Sequence, residues 1–301
     1  MSIQNSYLRY NIRRKINKLA MATFPIRAHR KGMENIGKMA KIPNGVAFEK
    51  TNCDGIPAEW AVPNTLKTRG VVLYFHGGAY AMGSIASHRN LSANIALASK
   101  TKCLTIDYRL APEHPFPAAI DDALKAYKWL LKKGFKSKSI VLAGDSAGGG
   151  LAIATLLKLK QENMPLPCTA VCLSPWLDLE GTGEQSELLS KKDPMIDVAA
   201  MRVFAAHYVP AEQLKHPLAS PLYADLQGLP PIYIQVSLSE ILLDDTLRFE
   251  KKAIAAGVTV KIDTWEKTVH VWQLFGSMLP EAMSAIKKIG AYIEHALLTV
   301  E

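Results

Sequence analysis

"SIVLAGDSAGGGLAIATLL", residues 139–157, changes character at one serine. Ahead of Ser146 a short apolar run reads as a buried strand; behind it, small residues lead into an apolar helical pattern. Gly144-Asp145-Ser146-Ala147-Gly148 fits G-x-S-x-G at a strand-to-helix turn. A larger neighbour there would collide with strand or helix, and the serine hydroxyl is pushed out at the carboxyl end of the sheet. Ala147 opens the helix, so its N–H points into the same space and suits an anionic oxygen. The five-residue pattern alone also fits a phosphate cradle; the flanking strand and helix favour a nucleophile.

Around this junction, short β-rich runs alternate with amphipathic stretches. "GVVLYFH" (70–76), "TKCLTIDY" (101–108), "CTAVCLS" (168–174), "PIYIQVS" (231–237) and "VTVKIDTW" (258–265) read as strands. Residues 87–100, 117–133, 148–162, 242–256 and 281–298 read as helices, and 48–62 as an antiparallel hairpin at one edge. The repetition predicts an α/β fold, a mostly parallel sheet with helices on both faces. Two segments break the rhythm. One is the arm 1–41; the other, about 178–225, carries the polar run "EGTGEQSELLSKKD" and the helical "VAAMRVFAAHYV". A connection that long points to an inserted cap on a catalytic domain spanning 42–301, with the arm as a helical cap segment packed against it.

Composition excludes several classes. At 49% hydrophobic over 301 residues the chain can bury a large core. No apolar run approaches the roughly 18–20 residues of a membrane span, and arginines interrupt the N-terminus where a signal peptide needs an apolar core. The four cysteines, Cys53, Cys103, Cys168 and Cys172, form neither a C-x-x-C pair nor a zinc set, and the last three, in apolar strand-like runs, read as reduced core residues of a cytoplasmic protein. The net charge of +9 does not indicate nucleic acid. Residues 1–41 hold ten Lys or Arg against Glu34 alone, and the remainder is balanced at 26 of each sign. Arg13, Arg14, Lys15 and Lys18 form a solvated basic face, with weak membrane-surface contact as the alternative and no stable insertion. The arm also carries Leu8, Ile12, Ile16 and Leu19 at helical spacing, a stripe that needs something to pack on.

"YFHGGAYAMGS" (74–84) is the second constellation. A His-Gly-Gly turn after a strand lets backbone N–H groups approach a carbonyl oxygen, with Gly77, Gly78 or Ala79 as the candidates beside Ala147. Together, His76-Gly77-Gly78-Ala79, "DYRLAPEHPFPAAIDDA" (107–123), "GDSAGG" (144–149), "LSPWLDL" (173–179) and "SEILLDD" followed by "HVW" resemble the hormone-sensitive-lipase-like esterases of the α/β-hydrolase superfamily. The resemblance runs from about residue 45 to 298. It implies an α/β-hydrolase fold with an N-terminal helical cap. The implied chemistry is a serine hydrolase acting on esters of short to medium acyl chains, without metal or cofactor. Such families commonly place a third glycine where Ala79 stands, and a backbone donor tolerates alanine there.

Ser146 needs a base. Of eight histidines, His29 lies in the arm, His76 in the oxyanion turn, His88, His114, His207 and His216 before the elbow or in the cap region, and His295 on the terminal helix. His270, in the loop after the last strand, fits the chain order serine, acid, histidine. At an ordinary imidazole pKa of ~6.5, activity would climb through mildly acid pH. The acid should follow "PIYIQVS". Glu240 lies in the loop, whereas Asp244 and Asp245 start a helix and suit its positive end. Family members often carry aspartate at the position of Glu240. The predicted triad is Ser146, His270 and Glu240, with Gly77, Gly78 and Ala147 as oxyanion donors. Arg109 and Glu113 anchor a proline-stiffened loop. An amidase or lactonase shares this machinery. A silent ligand-binding hydrolase fold is the non-enzyme alternative, and a complete triad argues against it. The partner is a small-molecule ester, bound by a monomer or homodimer.

Overall fold

The alternating runs assemble into one eight-stranded sheet in a computed structural model that describes residues 1–15, 23, 25–39 and 41–299. The strands are β1 (Val46–Cys53), β2 (Ile56–Pro63), β3 (Val71–Phe75), β4 (Lys102–Ile106), β5 (Ile140–Asp145), β6 (Thr169–Leu173), β7 (Ile232–Ser237) and β8 (Val260–Trp265). Their order is β1-β2-β4-β3-β5-β6-β7-β8. β1 and β2 form the expected antiparallel hairpin, β2 meets β4 antiparallel, and from β4 to β8 all neighbours run parallel.

β3, β5, β6 and β7 are buried throughout, which is why they read as unbroken apolar runs. Alternate residues serve opposite faces. Leu73, Phe75, Ile140 and Leu142 join a core with α4 (Ala118–Lys132) and α5 (Ala147–Gln161). Val72, Tyr74, Val141 and Ala143 join a second core with α3 (Ile85–Ser99) and α9 (Pro280–Leu298). The register sets Phe75 beside Gly144 and Gly144 beside Cys172, so β3, β5 and β6 end together on one edge of the sheet.

The two segments outside the rhythm lie beside that edge. The arm forms α1 (Ile3–Lys15) and α2 (Ile26–Met39). Leu8 and Ile12 pack on the cluster that includes Val269, Trp272 and Leu279; Ile16, Lys18 and Leu19 lie outside the described residues. The long connection after β6 carries α6 (Ser186–Lys192), which falls inside the run read as merely polar, and α7 (Val198–Tyr208). Arg13 on α1 donates to the Lys192 carbonyl at 3.2 Å, and His29 on α2 meets Phe204 of α7 edge-on at 5.5 Å.

Arg30 fastens α2 to the loop stiffened by prolines. It donates to the carbonyls of Ala81 (2.8 Å) and Ala111 (2.9 Å) and to both oxygens of Glu113 (2.9 and 2.6 Å). Arg109 in turn binds both oxygens of Asp122, so both residues read as anchors are anchors. Among the described residues, no helix is long and apolar enough to cross a membrane.

At one point α9 lies so close to α3 that a Cβ on Gly290 would run into the backbone of Ala98. Gly290→Val should therefore cost about 1–3 kcal/mol by overpacking. A thermal melt checks it, and an unchanged melting temperature would show that this helix pair yields.

Candidate active site

Ser146 holds φ 53° and ψ −121°, in the left-handed half of the map, at the end of β5 and the start of α5. The reason is local crowding. A Cβ on Gly148 would strike the carbonyls of Phe75 and His76, and one on Gly144 would strike Gly148, so helix and strands approach at backbone distance. The Ser146 N–H donates to Leu173 (2.8 Å), and its carbonyl accepts from Gly150 and Trp176. Ala147 is the first residue of α5, so its N–H lacks a partner within that helix.

His270 stands in the loop after β8. The neighbouring Val271 has φ 46°, an outlier for a β-branched residue of the kind that clusters where geometry serves function. His270 Nδ1 lies 3.3 Å from Glu240 Oε1, which leaves Nε2 on the far side of the ring. Glu240 is fully buried in the loop between β7 and α8 (Leu243–Ala255). Its Oε2 accepts from Ser174 Oγ (2.9 Å) and the Ser237 N–H (3.3 Å).

Burial raises the Glu240 pKa against the lowering effect of His270. Burial also works to lower that of His270, but the hydrogen bond and charge of Glu240, followed by Asp193 and Asp145, prevail and hold it above 6.5. The imidazole is thus more basic than the ordinary value assumed from sequence.

Ser146 and His270 line one cavity of about 280 Å³. Its walls are apolar. His29, Gly32, Met33 and Ile36 present one face of α2 at helical spacing, and Ala200, Met201 and Phe204 present one face of α7. Met195, Ile196, Leu274 and Phe275 add further surface. Gly78 and Ala79 line the cavity too, and Ala79 sits at φ 52°, where a glycine would be unstrained.

Gly77 requires a correction. Its N–H donates to Asp145 Oδ1 at 3.0 Å and is spent on fixing the turn. Asp145 also accepts from Tyr74 (2.7 Å) and lies 3.3 Å from His88 Nε2. Among the described residues, no hydrogen bond is made by the N–H groups of Gly78 and Ala79, both of which line the cavity. His76 is excluded as a base: its ring stacks on Tyr108 at 4.3 Å, and burial, helped by His88, pushes its pKa down to about 3.

Asp245 also departs from expectation. It does begin α8, but its Oδ2 accepts the N–H groups of Leu177 (2.9 Å) and Asp178 (3.0 Å), tying the helix to the loop after β6. Asp244 lies 3.6 Å from Arg248 one turn along the same helix, and its carboxylate packs against Gly183 of the inserted segment. Several polar contributors escaped the sequence reading. Ser174, at φ 47°, reads in the sequence as the end of a strand, and Asp193 as part of a polar run. Neither carries a motif of its own. Among the described residues, no group of His, Cys, Asp or Glu is arranged to hold a metal ion.

Burial, and then the Asp178 carboxylate, push Asp245 up to about 8. Between its ordinary 3.8 and about 8 the folded chain therefore holds a proton that the unfolded chain has lost. Stability then falls as pH rises through that window and levels off above it. Asp245→Asn keeps an acceptor oxygen for both amides, so melting temperatures taken across the window should be flatter than wild type. A variant that tracks the wild-type slope would rule out Asp245 as its source.

A family model described as the alpha/beta hydrolase fold matches residues 72–274. An acetyl-hydrolase of Streptomyces hygroscopicus is 40% identical over 269 residues, covering 89% of this chain and 88% of that protein. Among solved structures, EstE5 soaked with p-nitrophenyl butyrate superposes with a TM-score of 0.94 at 38% identity over 99% of this chain and 100% of that one. An esterase from the bacterial hormone-sensitive lipase family superposes with a TM-score of 0.93 at 39% identity over 99% of each chain.

Proposed function

The chain belongs to the hormone-sensitive-lipase-like esterases of the α/β-hydrolase fold and is a carboxylic ester hydrolase, and from that premise we propose that Ser146, His270 and Glu240 are its catalytic triad. One observation carries the assignment: Ser146 and His270 share a cavity while Glu240 grips the opposite nitrogen of the imidazole.

Ser146 Oγ attacks the ester carbonyl as His270 Nε2 takes its proton, and the negative charge moves to the carbonyl oxygen. The N–H groups of Gly78, Ala79 and Ala147 receive that oxygen, with Gly77 set aside by its bond to Asp145. Glu240 holds the proton on Nδ1 and stabilises the imidazolium. The imidazolium then protonates the departing alcohol, leaving an acyl-enzyme, and a water activated by the same base releases the acid.

The arm 1–41 and the insertion at about 178–225 act as a cap, because α2 and α7 together supply one apolar wall of the cavity. Short to medium acyl chains suit that volume of about 280 Å³. The acetyl-hydrolase relative and the butyrate ester soaked into EstE5 agree with that range.

Ser146→Ala should abolish hydrolysis of p-nitrophenyl acetate while the melting temperature stays near wild type. Substantial residual turnover would remove Ser146 from the role. In wild type, kcat/KM should rise with pH to a midpoint above 6.5, since the base works only after His270 loses a proton held tightly by Glu240. Glu240→Gln should lower kcat by roughly 10³–10⁴ and move that midpoint down. Near-full turnover in this variant would place the acid elsewhere.

Chain length is tested on α2. Gly32 faces the cavity with open space where a Cβ would stand. Gly32→Leu should thus suppress hydrolysis of medium-chain esters while sparing acetate, as read on a panel of p-nitrophenyl esters. An unaltered profile would mean that acyl chains do not reach α2.

A further inference from the structure

Behind the proposed triad acid lies a second buried carboxylate that the mechanism does not use. Asp193 ends α6 and is 1% exposed. Its Oδ1 accepts the N–H groups of Met195 (2.7 Å) and Ile196 (3.1 Å), two residues of the cavity wall. Its Oδ2 accepts the N–H of Ile241 at 3.1 Å, and Ile241 directly follows Glu240. One side chain therefore ties the wall that a substrate would touch to the loop that orients the imidazole.

We propose that Asp193 is a positioning residue of the catalytic apparatus, which fixes the Glu240 loop against the cavity wall and supplies a second negative charge behind the His270 imidazolium. The inference rests on the triad reading above. Geometry supplies the first half: a buried carboxylate needs donors, and all three donors found here are backbone N–H groups of functional segments.

Charge supplies the second half. The ionisable groups around His270 are Glu240 from the β7–α8 loop, Asp193 from the α6–α7 connection and Asp145 from the end of β5. His29 from α2 lines the same cavity, and Arg9 from α1 donates to the Thr268 carbonyl at 2.8 Å. After burial, which opposes it, Glu240 leads and Asp193 follows in making His270 more basic. Three carboxylates thus face a site where positive charge develops during the reaction.

The test is Asp193→Asn in the full-length enzyme, assayed on p-nitrophenyl acetate across pH. The amide keeps an oxygen for the Met195 and Ile196 turn but removes the charge and turns an NH₂ toward Ile241. The expected result is a fall in kcat of about tenfold with little change in KM. The acid limb of kcat/KM should move to lower pH. Asp193→Glu, which retains the charge, should bring that limb back toward wild type even if its reach lowers kcat.

Asp197→Asn is the structural control. It alters the N-cap of α7 in the same connection, where Asp197 accepts from Ala200 at 2.8 Å, and it should leave the limb unmoved. A folded Asp193→Asn with a wild-type acid limb and kcat, changed only in melting temperature, would overturn the proposal. So would an Asp193→Glu limb displaced as far as that of Asn, a comparison that stands even if Asp193→Asn fails to fold and the shift is judged against Glu240→Gln. Should Glu240→Gln itself retain full turnover, the triad assignment fails instead.

Discussion

A Cβ on Gly148 would strike the Phe75 carbonyl, and the absence of that Cβ lets α5 leave the sheet across the end of β3. The left-handed backbone of Ser146 follows from this close approach, because the chain must turn from strand to helix with Ser146 alone between them. The same approach brings the first amide of α5 next to the turn that carries Gly78 and Ala79. The nucleophile and oxyanion donors proposed above thereby come from two separate segments, held by the packing of one helix against neighbouring strands. The strain at Ser146, of order 1–3 kcal/mol for a residue so placed, is borne by a core that surrounds it on both faces of the sheet.

Burying carboxylates next to this turn is costly unless they find donors. Asp145, Asp193 and Glu240 each do. Asp145 takes the Gly77 amide and Tyr74, Asp193 takes three backbone amides, and Glu240 takes Ser174, Ser237 and the His270 ring. The acceptors thus lock loops that have no secondary structure of their own. Their charges also converge on one imidazole. Order and electrostatics come from the same bonds, so an apolar replacement at these positions would lose both.

The cavity is lined by parts of the chain that lie far apart in sequence. α2 reaches the catalytic edge of the sheet through Arg30, whose bonds to Ala81, Ala111 and Glu113 join the arm to the strand ends that frame the site. The Arg30–Glu113 ion pair is too exposed to stabilise the fold much on its own. Its guanidinium also satisfies two carbonyls, which makes it a geometric latch more than a source of stability. The basic excess of the arm is partly explained by such contacts, since Arg9, Arg13 and Arg30 all donate to backbone carbonyls of the body.

What the sequence determined by itself was the ordered set of elements and the residues with distinctive local signatures. The buried parallel strands read as apolar runs because both faces are covered, and Ser146 and Glu240 stand out as candidates in the sequence because their positions relative to strand ends follow from chain order and turn chemistry. Tertiary structure alone decided which amide of the His-Gly-Gly turn is spent: Gly77 and Gly78 are equivalent in sequence, and only the fold brings Asp145 to the first of them. It likewise set Asp245 against the Leu177–Asp178 amides and Asp193 against Ile241, pairings 68 and 48 residues apart. No local pattern encodes them. A carboxylate's role is fixed by which donors surround it after burial, and those donors belong to segments that meet only when the chain is folded.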